Sequence, residues 1–152
     1  MEEKGFYSKD IIKTSLKDDW ETPQKLFEEL NEKYLFTLDP CATPDNAKCE
    51  NYLTREDNGL TLDWGGNVVF MNPPYGRDIK LWIRKAYQES KKDCLVVCLI
   101  PARTDTSYWH DYIFPYAGIE FLRGRLKFEV NGIAKDPAPF PSAIVVFGTR
   151  DI

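Results

Sequence analysis

The chain has 152 residues and a formal net charge of −4, and hydrophobic residues fill 43% of it, including 4 Trp, 8 Tyr and 9 Phe. This length suits one domain with a sizeable core, and the apolar and aromatic content excludes an intrinsically disordered chain. The acidic balance excludes a surface that is basic throughout, although a local basic patch can still bind nucleic acid. The sequence shows no secretory leader and no apolar stretch of about 20 residues, so we expect a cytoplasmic protein that does not enter a membrane.

Cysteine usage argues against a metal site. No two of Cys41, Cys49, Cys94 and Cys98 form a Cys-x2-Cys pair, the spacing typical of zinc ligands. Disulfides are not expected in a reducing compartment. Cys94 and Cys98 lie in an apolar run and are predicted to belong to the core, because cysteine is among the most buried residue types.

The first elements in chain order are an arm and a helix. Residues 1–17 show no clear period and are predicted to be a flexible arm, which leaves residues 18–152 as one domain. Thr22 is a good N-cap and Pro23 suits the first helical position, so a helix is predicted to begin there. Apolar residues then recur at helical spacing: Leu26, Phe27, Leu30 and Tyr34.

The next segment predicts a short strand that ends in an acid. Residues 35–38 are mostly apolar, and Asp39-Pro40-Cys41-Ala42 follows them. An acid at the end of a first strand is placed to bind a donor group, whereas Asp before Pro is also an ordinary turn start. Residues 43–66 are polar, so we predict a sheet that is reduced on this side, with only short pieces at residues 51–54 and 60–62.

The stretch that organises the chain follows at residues 68–76. An apolar run ends abruptly in Asn72-Pro73-Pro74-Tyr75. Two prolines cannot continue a strand ladder, and they hold Asn72 extended, so the segment predicts a rigid shelf at a strand end. The Asn72 side chain and the Pro73 carbonyl can each accept a hydrogen bond from a planar amine, and Tyr75 can stack on the ring that carries it. The alternative is a proline-stiffened turn.

The remaining elements predict a mixed sheet. Residues 78–90 favour an amphipathic helix and residues 94–100 a buried parallel strand, which ends at Pro101. A short helix over residues 107–114 is predicted to stop at Pro115. Asn131-Gly132 indicates a hairpin, and residues 142–147 form a last apolar strand.

Six motifs in order resemble the small phage-type DNA N6-adenine methyltransferases, the Dam-like family of bacteriophages and prophages. They span the chain from residue 20 onward, and they are Trp20-Glu21-Thr22-Pro23, Asp39-Pro40-Cys41-Ala42, Asn72-Pro73-Pro74-Tyr75, Pro101-Ala102-Arg103-Thr104-Asp105-Thr106, Gly124-Arg125-Leu126-Lys127-Phe128 and Ala138-Pro139-Phe140-Pro141-Ser142. The resemblance implies a Rossmann-like α/β methyltransferase domain that uses S-adenosyl-L-methionine, with a mixed sheet and a reduced cofactor half. This chain departs from most methyltransferases because no glycine-rich loop follows Asp39.

The resemblance also implies roles for particular residues. The catalytic residues are Asn72, Pro73, Pro74 and Tyr75, and the cofactor-binding residues are Trp20, Thr22, Pro23, Asp39, Cys41 and Asp63. Asp63 has an alternative role as a solvated turn acid. The substrate is expected to be DNA, and Arg103, Arg125 and Lys127 are the predicted substrate-binding residues. A local basic patch could come from Arg123, Arg125 and Lys127 or from Lys80, Arg84 and Lys85. Arg103 either contacts a phosphate or pairs with Asp105.

Other functions remain compatible with the same motif. One is a catalytically inactive DNA-binding module of the same fold, and another is an amino methyltransferase that acts on RNA or on a protein glutamine. No sequence feature specifies an oligomeric state.

Overall fold

The structure is a computed structural model that describes residues 20–148. The arm predicted at residues 1–17 lies outside the described residues. The helices are α1 (Gln24–Tyr34) and α2 (Ile79–Glu89). The strands are β1 (Val68–Met71), β2 (Leu95–Pro101), β3 (Gly118–Phe121), β4 (Glu129–Val130), β5 (Ile133–Ala134) and β6 (Ser142–Phe147). One 3₁₀ turn spans Gly59–Thr61.

The main sheet has the order β1-β2-β6-β3. β1 and β2 are parallel, and β6 runs antiparallel to both β2 and β3. On the far side of β1, only isolated parallel bridges continue the sheet, from Leu38 to Val69 and from Asp39 to Tyr52. The predictions of a mixed Rossmann-like sheet and of a shortened side are therefore confirmed.

The sequence explains where the central strands lie and where they stop. All seven residues of β2 are buried, as expected for a strand covered on both faces. β1 stops at Met71 because the two prolines after Asn72 have no N–H to donate to a neighbouring strand. The carboxyl ends of β1 and β2 therefore lie together, with Asn72 beyond the first and Pro101 at the end of the second.

Two predicted helix boundaries are wrong. Pro23 occupies the cap position of α1 and makes no side-chain capping hydrogen bond. The N–H of Gln24 donates to the Glu129 carboxylate at 3.4 Å, and the hydroxyl of Thr22 is hydrogen-bonded to Asn72. Pro115 does not stop the helical segment after β2. A π-helical turn over Trp109–Ile113 passes directly into a short helix, Phe114–Tyr116, in which the proline lies in the first turn, where a missing N–H costs little.

The hairpin predicted at Asn131-Gly132 is confirmed. Their φ angles are 53° and 80°, and a two-residue turn with both φ angles positive is the one that matches the twist of flanking strands. The hairpin is tied to the start of the described chain, because Glu21 forms an antiparallel bridge with Glu129. Within residues 20–148, no helix has the length and hydrophobicity needed to cross a membrane.

A buried ion cluster ties α2 to the segment that precedes β1. The side chain of Glu89 is only 2% exposed and contacts Lys85 at 3.1 Å and Lys92 at 2.8 Å. Glu89 also accepts the backbone N–H of Trp64 at 2.6 Å. Burial alone would raise the pKa of this carboxyl, but the hydrogen bonds from Lys92, Trp64 and Lys85 outweigh burial and lower the pKa to about 2. The sequence did not reveal this cluster.

Candidate active site

The predicted site residues assemble at the carboxyl ends of the parallel strands. Leu38 pairs with Val69 in parallel register, so the chain after Leu38 and the chain after β1 leave the sheet at the same edge. Burial raises the pKa of Tyr75 well above its ordinary value. The edge where ligands bind in open α/β sheets therefore carries Asp39, Cys41 and the whole Asn-Pro-Pro-Tyr shelf.

The side-chain nitrogen of Asn72 is fully engaged. It donates to the backbone carbonyl of Trp20 and, at 2.9 Å, to the hydroxyl oxygen of Thr22. A backbone carbonyl can only accept a hydrogen bond, so this contact identifies which end of the amide is the nitrogen. The amide orientation is therefore fixed by residues that lie fifty positions away in the sequence.

The other end of the same amide is unused. The Oδ1 atom of Asn72 is buried and has no hydrogen-bond partner within residues 20–148. A buried acceptor without a partner costs about 1–3 kcal/mol, and such groups are rare enough in native structures to need an explanation. An N–H group of a bound molecule would satisfy this oxygen, which is the acceptor role predicted for Asn72.

Tyr75 differs from its predicted role as an open stacking surface. The residue is 3% exposed, and its hydroxyl donates to the Leu99 carbonyl at 2.9 Å. Its ring packs edge-on against Phe128 and Phe140, with centroids 6.0 and 5.7 Å away. Trp20 contacts the same two phenylalanines. These four rings form an aromatic cluster in which the Tyr75 ring is buried, so a planar ligand reaches that ring only when the cluster opens.

Asp39 is buried and holds the loop that follows it. Its two carboxylate oxygens accept the backbone N–H groups of Cys41 and Lys48, each at 3.1 Å. Burial raises the pKa of Asp39 above its usual range, and these two hydrogen bonds only partly offset the rise. Each oxygen keeps a further lone pair, so a cation or hydroxyl placed beside Asp39 would stabilise its charged form.

The three predicted substrate-binding cations are exposed, and the structure shows contacts for two of them. Arg103 donates to the Tyr75 carbonyl at 3.3 Å and lies 5.6 Å from the Phe140 ring centroid. Arg125 donates to the Ala138 carbonyl at 3.4 Å. Lys127 is exposed beside buried Phe128. Arg103 belongs to the loop after β2, and its side chain contacts the shelf at Tyr75.

Asp63 is not brought to this edge. It precedes β1, whereas Asn72 follows β1, and its carboxylate accepts the backbone N–H of Gly65 at 2.9 Å. The adjacent Gly66 donates to Asp93, just before β2. Asp63 therefore lies at the amino ends of the strands, where it is an exposed turn acid, the alternative that the sequence left open. No group of three or more metal-ligating side chains occurs in the described part of the chain.

The fold and the site define a class. The structure resembles the crystal structure of the 23S rRNA methyltransferase ErmE with a TM-score of 0.55, covering 87% of this chain and 70% of that one. The two sequences are only 12% identical, so the likeness shows the fold alone. That fold is the Rossmann-like methyltransferase fold.

Sequence comparison gives the family. The family model for DNA N-6-adenine-methyltransferase (Dam) matches residues 9–149, and this chain belongs to that family. The chain is 37% identical over 107 residues to the DNA N-6-adenine-methyltransferase of Haemophilus phage HP1 (strain HP1c1), covering 68% of this chain and 61% of that protein. It is 28% identical over 120 residues to that of Escherichia phage T1, covering 78% of this chain and 50% of that protein. The chain thus spans about half to three fifths of the length of these curated relatives.

Proposed function

We propose that this chain transfers a methyl group from S-adenosyl-L-methionine to N6 of adenine in DNA. The observation that carries the proposal is the Asn72 amide, whose nitrogen is held by the protein and whose buried oxygen has no partner within residues 20–148. An acceptor fixed beyond a strand end suits an exocyclic amine. Membership of the Dam family, and the names of the two phage relatives, support adenine in DNA as the carrier of that amine.

Asn72 and Pro73 would orient the amine. The Asn72 Oδ1 atom would accept a hydrogen bond from one N6–H and the Pro73 carbonyl would accept one from the other, which turns the nitrogen lone pair toward the methyl group. Bound S-adenosyl-L-methionine would supply that methyl group from its sulfonium sulfur, with S-adenosylhomocysteine as the other product. The methylated nitrogen is cationic and loses one proton to water. The chain contributes positioning and polarisation, and no covalent bond to the protein is needed.

Asp39 and Cys41 are the residues that would hold the cofactor. Asp39 is buried at the edge that carries the shelf, and the raised pKa of its carboxyl means that a neighbouring ammonium or hydroxyl gains by binding it. Cys41 donates its backbone N–H to the Asp39 carboxylate at 3.1 Å and so lies beside it. The backbone of Trp20, Thr22 and Pro23 passes the same edge.

Replacing Asp39 by alanine should weaken the binding of S-adenosylhomocysteine by about 1–3 kcal/mol, the scale for losing a hydrogen bond to a charged group. Isothermal calorimetry measures this directly. Asn46→Ala is the matched control, because Asn46 closes the same loop through a 2.7 Å hydrogen bond to the Thr43 N–H without supplying an acid. Equal losses in the two variants would mean that loop closure, and not the carboxylate, supports binding.

DNA would reach this site with the target base turned out of the duplex, because a stacked base cannot enter a site at strand ends. The aromatic cluster would have to open to admit it, after which Tyr75 has a free ring face. Arg103, Arg125 and Lys127 would contact the phosphates. We place the reaction in the host cytoplasm, where DNA and cofactor are both present.

Labelled methyl transfer tests the substrate class. With S-adenosyl-L-methionine carrying a labelled methyl group, the label should enter DNA, and it should not enter RNA or protein offered at the same concentration. Label in RNA or protein alone would contradict the proposal. Cofactor binding without transfer to any of the three would favour an inactive module.

A further inference from the structure

The role of Thr22 follows from its hydrogen bond and not from helix capping. Thr22 is 2% exposed, and its hydroxyl oxygen accepts a hydrogen bond from Nδ2 of Asn72. We propose that Thr22 is a positioning residue that, together with the Trp20 carbonyl, locks the Asn72 amide with its oxygen facing the substrate. This inference rests on the proposed function for its catalytic consequence, although the lock itself can be measured without it.

The lock matters because the two ends of an amide have opposite chemistry. The terminal torsion of asparagine is broad and roughly two-fold, so the amide can turn over at low cost. A turned-over amide would present its N–H groups to the N–H groups of the substrate amine. Both sets of groups are hydrogen-bond donors, so the acceptor would be lost. In the structure the Trp20 carbonyl makes the turned-over state repulsive, because two oxygens would face each other. The Thr22 hydroxyl satisfies the second Nδ2 proton.

The segment that forms the lock is itself fixed from both sides. Glu21 lies between the two acceptors in the chain. Its carbonyl accepts a hydrogen bond from the N–H of Glu129 at 3.0 Å, and its carboxylate accepts one from the N–H of Asn131 at 3.2 Å. Pro23 restricts Thr22 to extended backbone and is the cap residue that precedes α1. The backbone that carries both acceptors is thus held between α1 and the β4–β5 hairpin, so the Trp20 carbonyl cannot follow the amide if it rotates.

A role for Thr22 in starting the helix is not supported, because α1 has no side-chain cap. A role for its side chain in cofactor binding, which the sequence predicted, leads to a different kinetic result. Loss of a cofactor contact raises KM for S-adenosyl-L-methionine, whereas loss of amide orientation lowers kcat. Thr22→Val keeps the shape of the side chain and removes the hydroxyl, and Thr22→Ser keeps the hydroxyl and removes the methyl group.

The experiment compares these two variants with the wild type. Thr22→Val should lower kcat roughly 10-fold, the effect of one hydrogen bond, with little change in KM for S-adenosyl-L-methionine, and Thr22→Ser should retain most of the wild-type kcat. NMR of the Asn72 side-chain NH2 group, assigned by its absence in Asn72→Ala, should show a shift of one of its two protons in Thr22→Val and a nearly unchanged pair in Thr22→Ser.

The outcomes separate this inference from the proposed function. An unchanged NH2 signal and an unchanged kcat in Thr22→Val would overturn the positioning role, and so would a raised KM with normal kcat. If the wild type transfers no methyl group to DNA, the proposed function fails, while a shifted Asn72 proton in Thr22→Val still supports the lock.

Discussion

Asn72→Ala is expected to reduce the transfer of methyl groups to adenine about 100-fold or more, the usual effect of removing one polar group aimed at the reacting atoms. Alanine removes the oxygen that would accept a hydrogen bond from the substrate amine. It also removes the nitrogen that donates hydrogen bonds to Trp20 and Thr22. Binding of S-adenosylhomocysteine should change little, because Asp39 and its loop do not hydrogen-bond to the Asn72 side chain. Single-turnover rates and calorimetry on the same preparations measure the two effects.

Gln88→Ala is the matched control for this variant. It removes an exposed amide from α2 and should leave both the rate and the binding unchanged. Thermal unfolding of Asn72→Ala must show a folded protein at the assay temperature, since an unfolded variant is also inactive. Full methyl transfer by a folded Asn72→Ala protein would rule out the assigned role.

Glu89→Gln should destabilise the folded protein by roughly 3 kcal/mol, near the lower end of the cost of breaking a buried ion pair. The lower end applies because Lys92 is 54% exposed and can turn toward water, whereas Lys85 is 13% exposed and loses its only carboxylate contact among the described residues. Urea denaturation at pH 7 measures the free energy of unfolding. Glu32→Gln, an exposed change on α1, should stay within about 0.5 kcal/mol of the wild type.

The wild type and Glu89→Gln should differ less in their free energy of unfolding at low pH. Glu89 has a pKa of about 2 in the folded state and 4.5 as its ordinary value, so its charge stabilises the fold fully above pH 4.5. That contribution is lost as the pH falls through about 2, where the carboxyl becomes protonated even in the folded state. The gap in stability between wild type and Glu89→Gln should therefore close between these two pH values. A gap that stays constant down to pH 2 would contradict the ion cluster.

The sequence predicted the elements well where local chemistry decides them. The uninterrupted apolar run of β2, the stop imposed by Pro73 and Pro74 and the Asn131-Gly132 turn are all local features. The shortened side of the sheet was also predictable, because residues 43–66 are too polar to supply two more buried strands.

The site could be predicted only in part, since its geometry depends on contacts between distant residues. The sequence marked Asn72 as an acceptor, but only the structure shows that Trp20 and Thr22 hold its nitrogen. The burial of Tyr75 depends on Phe128 and Phe140, which follow it by more than fifty positions. Their presence within two of the recognised motifs was the only available signal.

The roles of two charged residues, Glu89 and Asp63, also depend on contacts that the sequence does not reveal. Both appear in the sequence as ordinary acids, one near a helix end and one in a turn. Burial and two lysines make Glu89 structural, and the direction of β1 places Asp63 at the edge opposite the Asn-Pro-Pro-Tyr shelf. Neither result follows from local periodicity.

Identification of the methylated atom tests the central claim most directly. Unmethylated DNA is incubated with the wild-type protein and S-adenosyl-L-methionine, digested to nucleosides and analysed by mass spectrometry beside the Asn72→Ala protein. We predict N6-methyladenine from the wild type and little or none from the variant. The absence of any methylated nucleoside across DNA of varied sequence, or a product methylated on a carbon atom rather than on an exocyclic amine, would contradict an Asn-Pro-Pro-Tyr site built to hold the amino group of adenine.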